Sequence, residues 1–174
     1  MHKVGLFIGP IISNISNTTP DTGPFAFLGQ NSTSQLFRGV GVGAYYDFFH
    51  SGAIEAGADL RGSILRSNGA QLNSLLVGAR IAYNVPNFRL KPYIEPLVGL
   101  GSSKAPTNIL YASKPTFGVN VGVDYALNKH VDFRVIEVGV ESVQTINSGL
   151  FGGTVAFPSS KMLNFSTGLV FVIP

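Results

Sequence analysis

Ionisable residues in this chain recur on one phase of a two-residue alternation. Glu55, Asp59 and Arg61 are separated by even steps, as are Lys91 and Glu95, Asp132 and Arg134, and Glu137 and Glu141; Asp47, Arg80 and Asp124 sit on the same phase of their own segments. Even spacing puts such residues on one face of an extended chain. A face carrying both signs of charge has two uses. Where water is scarce it forms a network of ion pairs, because an unpaired buried charge costs several kcal/mol. Where water penetrates, it lines a path for ions or protons. Pairing is the first expectation.

Catalysis needs a nucleophile, a base and an orienting group within reach of one another. The histidines are His2, His50 and His130, and the last two fall in short turn segments, where a solvated side chain is expected. His130-Val131-Asp132 brings an acid within two residues of a histidine, without a nucleophile beside it. The chain has no cysteine, which excludes disulfides, thiolate metal sites and a cysteine nucleophile. No metal-ligand spacing is found. No catalytic, metal-binding or cofactor-binding residue is assigned, and no cofactor is expected.

The elements that hold these side chains follow from composition and period. At 174 residues the chain suits one domain spanning 1–174. Only 12% of residues are charged, half of the roughly 25% usual in soluble domains. With 45% apolar residues and a mean hydropathy of +0.28, disorder is excluded. Twelve Lys and Arg against nine Asp and Glu are dispersed without a basic run, so no nucleic-acid partner is expected. No apolar run reaches the roughly 18–20 residues of a membrane helix. A membrane β-barrel stays open, because its strands hide hydrophobicity in alternation.

Alternation predicts eight strands: Lys3–Ile12, Gly39–Phe48, Ile54–Ile64, Ser74–Tyr83, Leu90–Gly101, Phe117–Leu127, Val131–Val143 and Leu163–Ile173. The first segment has a competing reading as a short signal peptide, with a hydrophobic stretch interrupted by Gly5, Gly9 and Pro10. Pro92 and Pro96 predict a loosened ladder in the fifth strand. In the seventh, Phe133 and Val135 share one phase while Val138 and Val140 take the other. A one-residue slip inside a strand predicts a β-bulge near Ile136. Longer links at 13–35, 67–71, 103–115 and 145–160 alternate with tight turns at His50-Ser51-Gly52, Pro86-Asn87-Phe88 and Asn128-Lys129-His130. Long and short connections in alternation describe an up-and-down meander with two unlike ends.

Side-chain size decides which face meets which solvent. The apolar face carries bulky Val, Leu, Ile, Phe and Tyr, and the mixed face sets glycines beside charges. An eight-stranded barrel has an interior just wide enough for side chains. Glycine interleaved with Arg, Glu and Asp suits such a lumen and not a soluble surface. Tyr46, Phe48, Tyr83, Tyr125, Phe133 and Phe171 lie beside the short turns or the C-terminus, as an aromatic girdle at one membrane interface would. In lipid an open sheet edge leaves polar groups unpaired at several kcal/mol each, so first and last strands must pair. The expected fold is all-β, an eight-stranded antiparallel up-and-down transmembrane β-barrel. Glu55, Asp59, Arg61, Arg80, Lys91, Glu95, Asp124, Asp132, Arg134, Glu137 and Glu141 form its lumen charge network.

Phe117-Gly118-Val119-Asn120-Val121-Gly122-Val123-Asp124-Tyr125-Ala126-Leu127, a three-residue turn and Val131-Asp132-Phe133-Arg134-Val135-Ile136-Glu137 resemble the penultimate hairpin of small outer-membrane barrels. That family is related to the transmembrane domain of outer membrane protein A and to the opacity proteins. Lys91-Pro92-Tyr93-Ile94-Glu95-Pro96-Leu97-Val98-Gly99 is similar to its preceding strand, and Ser166-Thr167-Gly168-Leu169-Val170-Phe171-Val172-Ile173 to its C-terminal β-signal, although this chain ends in Pro174 rather than an aromatic. The resemblance implies a bacterial outer membrane, with any signal peptide absent or removed, periplasmic termini and long loops at the cell surface. Its implied partners are outer-membrane lipids and the barrel-assembly machinery, which reads the C-terminal strand. A monomer is expected.

The expected role is structural or surface-interacting, with the lumen plugged by its charges. Apolar residues on long links, Leu150, Phe151, Val155 and Phe157 in one and Ile109, Leu110 and Tyr111 in another, are candidates for contact with headgroups or a surface partner. Two alternatives remain at this level. A lipid-modifying barrel such as the lipid A deacylases uses a His/Ser/Glu set, but position 132 here is Asp and His130 lies at the periplasmic end. A soluble lipocalin-like barrel carries an early Gly-x-Trp, and this chain has no Trp.

Overall fold

The computed structural model describes residues 3–23, 25–145 and 159–173. Eight antiparallel strands close into a barrel in chain order: β1 (Lys3–Ser16), β2 (Ser34–Ser51), β3 (Ile54–Ser67), β4 (Ala70–Tyr83), β5 (Leu90–Lys104), β6 (Ala112–Ala126), β7 (Val131–Gln144) and β8 (Ser159–Ile173). Closure comes from β1 pairing with β8, from Val4 opposite Ile173 to Ser16 opposite Lys161. Residues 3–16 therefore belong to the sheet on both edges, as the strand reading requires.

Exposure alternates along each strand with the bulky apolar residues outside. Leu6, Ile8, Val40, Val42, Leu60, Ile64, Val77, Ile81, Val98, Val121, Leu169 and Phe171 all face outward, while Glu95, Asp124, Arg80 and Arg134 are buried within. A contiguous outer belt of this kind would aggregate in water, so its surroundings are acyl chains. The soluble-barrel alternative is overturned by this orientation.

The strands overrun the sequence-based limits at the loop end. The link at 67–71 is not a long one: β3 and β4 are joined by Asn68-Gly69 alone, both at positive φ (45° and 86°). That is the Asn-Gly type I′ hairpin, whose twist matches the strands it joins. Asn-Gly lies in plain view in the sequence, and the surrounding Ser and Gln residues disguised two strands as a loop. Around Pro96 the β4–β5 pairing lapses between Gly78/Leu97 and Ile81/Ile94, so the ladder is loosened on that side only; β5–β6 pairing runs unbroken through Pro92 and Pro96.

The β7 bulge lies at Val135–Ile136. Arg134 pairs with Asp124, Ile136 with Val123, and Val135 is the unpaired extra residue. Both Val135 and Ile136 are exposed, so Arg134 and Glu137 both point inward three residues apart. The Thr167 hydroxyl donates to the Arg134 carbonyl at 2.7 Å, satisfying a backbone acceptor at the interruption. A second bulge, absent from the sequence reading, sits in β2: Asp47 pairs with Gly57 and Phe49 with Ala56, leaving Phe48 over. It turns Phe48 and Phe49 both outward and His50 to the inner phase. His50 is thus a strand residue, half-buried, with Nε2 3.4 Å from Glu55 Oε1, rather than a solvated turn residue. His130 is exposed in its turn.

The loop end of the lumen is closed by apolar side chains. Ile15, Phe37, Leu65, Leu72, Val143 and Met162 point inward there, and Phe27 and Leu28 fold over them from the 17–33 loop. Phe27 stacks on Phe37 with ring centroids 5.2 Å apart. The loop is pinned by Asp21, which accepts from the Leu28 amide at 2.8 Å and from Asn17 Nδ2 at 3.0 Å. Burial raises the Asp21 pKa above the ordinary aspartate range, with those hydrogen bonds opposing the shift. A raised acid pKa adds stability below the unfolded value and loses it as pH rises through the folded one. Hydrogen-exchange protection of the Leu28 amide is therefore expected to fall on going from acidic to neutral pH, and to be flat across that range in Asp21→Asn. Equal pH dependence in the variant would reject Asp21 as its source.

Candidate functional site

The lumen is the chemically richest region. Every acidic residue of the chain except Asp21 points into it: Asp47, Glu55, Asp59, Glu95, Asp124, Asp132, Glu137 and Glu141. Inward alternation on β2, β3, β5, β6 and β7 delivers them, and Arg61, Arg80, Lys91 and Arg134 come from the same phase of β3, β4, β5 and β7. At the turn end Lys3 pairs with Glu55, and Lys91 Nζ lies 2.7 Å from Asp132 Oδ2.

Deeper in, three guanidinium groups divide the remaining acids. Arg80, 1% exposed, reaches Asp47 at 3.3 Å, Glu95 at 3.3 Å and Asp124 at 3.1 Å. Arg134, fully buried, holds Asp124 Oδ1 at 2.9 Å through Nε and Glu137 Oε2 at 2.8 Å through Nη1. Arg61 holds Asp59 at 2.7 Å, Glu137 at 3.1 Å and Glu95. Bridging acids join the three into one network: Glu95 links Arg61 to Arg80, Asp124 links Arg80 to Arg134, and Glu137 links Arg134 to Arg61. Charge-assisted pairs, two-pronged where Arg134 meets Asp124 and Arg61 meets Glu137, are what let buried guanidinium groups offset their desolvation.

Aromatic rings fill the space between the guanidinium planes. Arg80 lies 4.1 Å from the Tyr45 ring centroid and 4.8 Å from Tyr93; Arg134 lies 4.7 Å from Tyr93 and 4.3 Å from Phe7; Arg61 lies 5.2 Å from Phe7. The result is an alternating stack, Tyr45, Arg80, Tyr93, Arg134, Phe7, Arg61, crossing the barrel. Desolvated cation–π contacts are worth about 2 kcal/mol or more each. The Tyr93 hydroxyl also donates to Glu137 Oε2 at 2.6 Å. The sequence reading missed these rings. Their signal was the phase: Tyr45 and Tyr93 fall on the charged face of their strands and Phe7 falls between Gly5 and Gly9.

Inward glycines make the room. Tyr45 lies over its cross-strand partner Gly5, and Tyr93 over Gly122. A Cβ on Gly122 would stand 2.3 Å from the Tyr93 hydroxyl oxygen, and Tyr93 cannot yield while clamped between two guanidinium groups. Gly122→Ala is expected to lower unfolding free energy by about 1–3 kcal/mol, as overpacking does, read as an earlier urea midpoint in vesicles. An unchanged midpoint would contradict the clamp.

Above the network Glu141 accepts from Asn164 Nδ2 at 2.7 Å. It borders a chamber of about 30 Å³, with Asn120, Asn164, Ser63 and Ser74 among its walls, about the volume of one water. The apolar cluster under the 17–33 loop lies beyond it. Among the described residues, ion pairs and rings occupy the lumen on the turn-end side of this chamber and apolar side chains lie on its loop-end side.

On the outside, Tyr46, Phe48, Tyr83, Tyr125, Phe133 and Phe171 are all exposed near the turn end, and Phe49 joins them through the β2 bulge. At the loop end, Ile109, Leu110 and Tyr111 are exposed, Ile109 at 85%. Leu150, Phe151, Val155 and Phe157 lie outside the described residues. Among the described residues no cluster of His, Cys, Asp and Glu is arranged to hold a metal ion.

Two solved structures share this architecture. Neisserial surface protein A aligns over 97% of this chain and 96% of its own at 14% identity, with a TM-score of 0.63. Ail, the attachment invasion locus protein of Yersinia pestis, aligns over 98% of each chain at 10% identity, with a TM-score of 0.56. At such identities the likeness is one of fold. No curated protein matches the sequence. The family profile described as outer membrane protein beta-barrel domain matches residues 9–150. With the closed eight-stranded sheet, its apolar outside and its charged inside, that match makes the chain a member of the outer-membrane β-barrel family and a protein of the bacterial outer membrane.

Proposed function

We propose that this barrel is a non-conducting, non-catalytic outer-membrane protein that serves as a rigid base for surface loops. The observation that carries the reading is the three-guanidinium network under an apolar cap, which supports a lumen closed to ions between the turn end and the loop end. Supporting a surface role, Ile109, Leu110 and Tyr111 are presented at the loop end, and the relatives similar in fold are named as a surface protein and an attachment protein. Against a lipid-modifying activity, the carboxylate beside His50 is shared with Lys3 at the turn end, and His130 is exposed in a turn. We take the outward aromatics as an interfacial girdle, the C-terminal strand as the segment read by the assembly machinery, and the folded unit as a monomer.

Planar-bilayer recording of the refolded protein tests the seal. No steady conductance step is expected. A large, stable conductance from the folded form would replace the plug with a channel. For the loop role, cells displaying the chain should lose retention on protein- or glycan-coated surfaces when Ile109 and Leu110 are both changed to Ser.

A further inference from the structure

The geometry points to a binding site for the phosphate groups of an outer-leaflet lipid on the outer face of β2–β5 at the loop end, with Arg38, Arg66 and Lys104 as the phosphate ligands. These residues form one row across four strands. Arg38 is the cross-strand partner of Arg66, Arg66 of Gln71, and Gln71 of Lys104. All four are on the outward phase, because Phe37, Leu65, Leu72 and Ser103 beside them are buried in the lumen. Like charges directly opposite on adjacent strands repel and destabilise a sheet. Arg38 opposite Arg66 is such a pair, and an anion between them would remove the repulsion.

This protein supplies no such anion. All its acids but one are inside the barrel, and the exception, Asp21, is tied to Asn17 and Leu28. Among the described residues Arg38 has no hydrogen-bonding or ion-pair partner. Arg66 uses Nη1 on the Leu65 carbonyl at 3.2 Å and on Asn73 Oδ1 at 3.1 Å. Lys104 rests over the Tyr111 ring at 6.0 Å. Beside the arginine pair lies an open cleft of about 430 Å³ walled by Gln35, Leu36, Arg38, Arg66, Ser67 and Asn68, all but Leu36 with polar side chains.

Position along the barrel selects a lipid over a soluble anion. On each of these strands the next outward residues toward the turn end are apolar or lead into the apolar belt: Val40 below Arg38, Ile64 below Arg66, Leu75 below Asn73, and Leu100 below Ser102. The row therefore stands where the belt ends. A lipid whose phosphate meets the row lays its acyl chains on Val40, Ile64, Leu75 and Leu100. Guanidinium forks match phosphate oxygens in pairs.

The test is native mass spectrometry of the detergent-solubilised protein titrated with bisphosphorylated lipid A, with phosphatidylglycerol and inorganic phosphate as comparison probes. The triple variant Arg38→Gln/Arg66→Gln/Lys104→Gln is expected to bind lipid A about a hundredfold more weakly, at roughly fivefold per basic residue. Arg89→Gln/Lys129→Gln, which removes two positive charges at the turn end, should leave affinity unchanged. Heat-modifiable gel migration shows that each variant is folded; because the three residues face outward, the lumen network stays intact. Equal affinity in the triple variant, or an equal loss in the turn-end variant, would overturn the site. Competition by millimolar inorganic phosphate as effective as lipid A would overturn the lipid assignment in favour of a soluble anion.

Discussion

Arg80→Ala is expected to cost the folded barrel roughly 4–5 kcal/mol, the upper part of the range for breaking a buried ion network. The partners it abandons decide the size. Asp124 would keep Arg134 at 2.9 Å and Glu95 would keep Arg61, but among the described residues the one ion pair of Asp47 is with Arg80 at 3.3 Å. Asp47 is 1% exposed, so it would stay desolvated without a counter-charge. Two cation–π contacts, to Tyr45 and Tyr93, vanish as well. Arg134→Ala should cost less, about 3 kcal/mol, because both of its acids retain a second guanidinium: Asp124 has Arg80 and Glu137 has Arg61. Urea unfolding in lipid vesicles orders the two. Adding Asp47→Asn to Arg80→Ala removes the stranded charge, so the double variant should recover about 2 kcal/mol. If Arg134→Ala were the more damaging, or if Asp47→Asn gave no recovery, the network would not be divided as its distances imply.

The barrel was legible because a membrane imposes period two on every strand. Leu169, Val121 and Ile64 meet acyl chains, and Asn164, Asn120 and Ser63 meet the lumen, so the phase survives even where charges are few. The β7 bulge was legible for the same reason: Val135 and Ile136 are both oily, and the acids on either side keep their phase only if one residue is left over. The β2 bulge was not. Tyr45-Tyr46-Asp47-Phe48-Phe49-His50 carries aromatics on both phases, so a slip there leaves no trace. The stacking rings were hidden likewise, since a tyrosine at the interface and one between two arginines look alike in sequence. Phe27 and Leu28 had no signal, because a loop has no period and their cover over Phe37 is set by the barrel mouth beneath them. The basic row on β2–β5 needed the register: Arg38 and Arg66 are far apart in sequence and become opposite only when the hairpin is paired.

Register yields the second large prediction, a contrast between two deletions three residues apart on β7. Removing Val135 should be tolerated, with a cost of about 1 kcal/mol or less. Arg134 would still pair with Asp124, Ile136 with Val123 and Glu137 with Gly122, so the ladder becomes regular and both charged side chains stay inside. On the β8 side Arg134 opposite Gly168 and Glu137 opposite Ser166 are likewise preserved. Removing Val138 should abolish folding. With the strand before it held in place, the residues after it slip by one onto their neighbours' partners and so onto the opposite face, which sends Glu141 into the lipid and Val140 into the lumen. If instead the bulge is consumed to restore their phase, Glu137 turns outward and abandons Arg134, Arg61, Tyr93 and Ser166. Either route puts a carboxylate among acyl chains and breaks the network at the same time, a sum of several kcal/mol against the typical 5–15 kcal/mol of stability. The readout is the folded fraction on an unboiled gel after refolding into vesicles, with the wild-type shift expected for the Val135 deletion and none for the Val138 deletion. Equal behaviour of the two would mean that inward facing of Glu137 and Glu141 is not what fixes the strand.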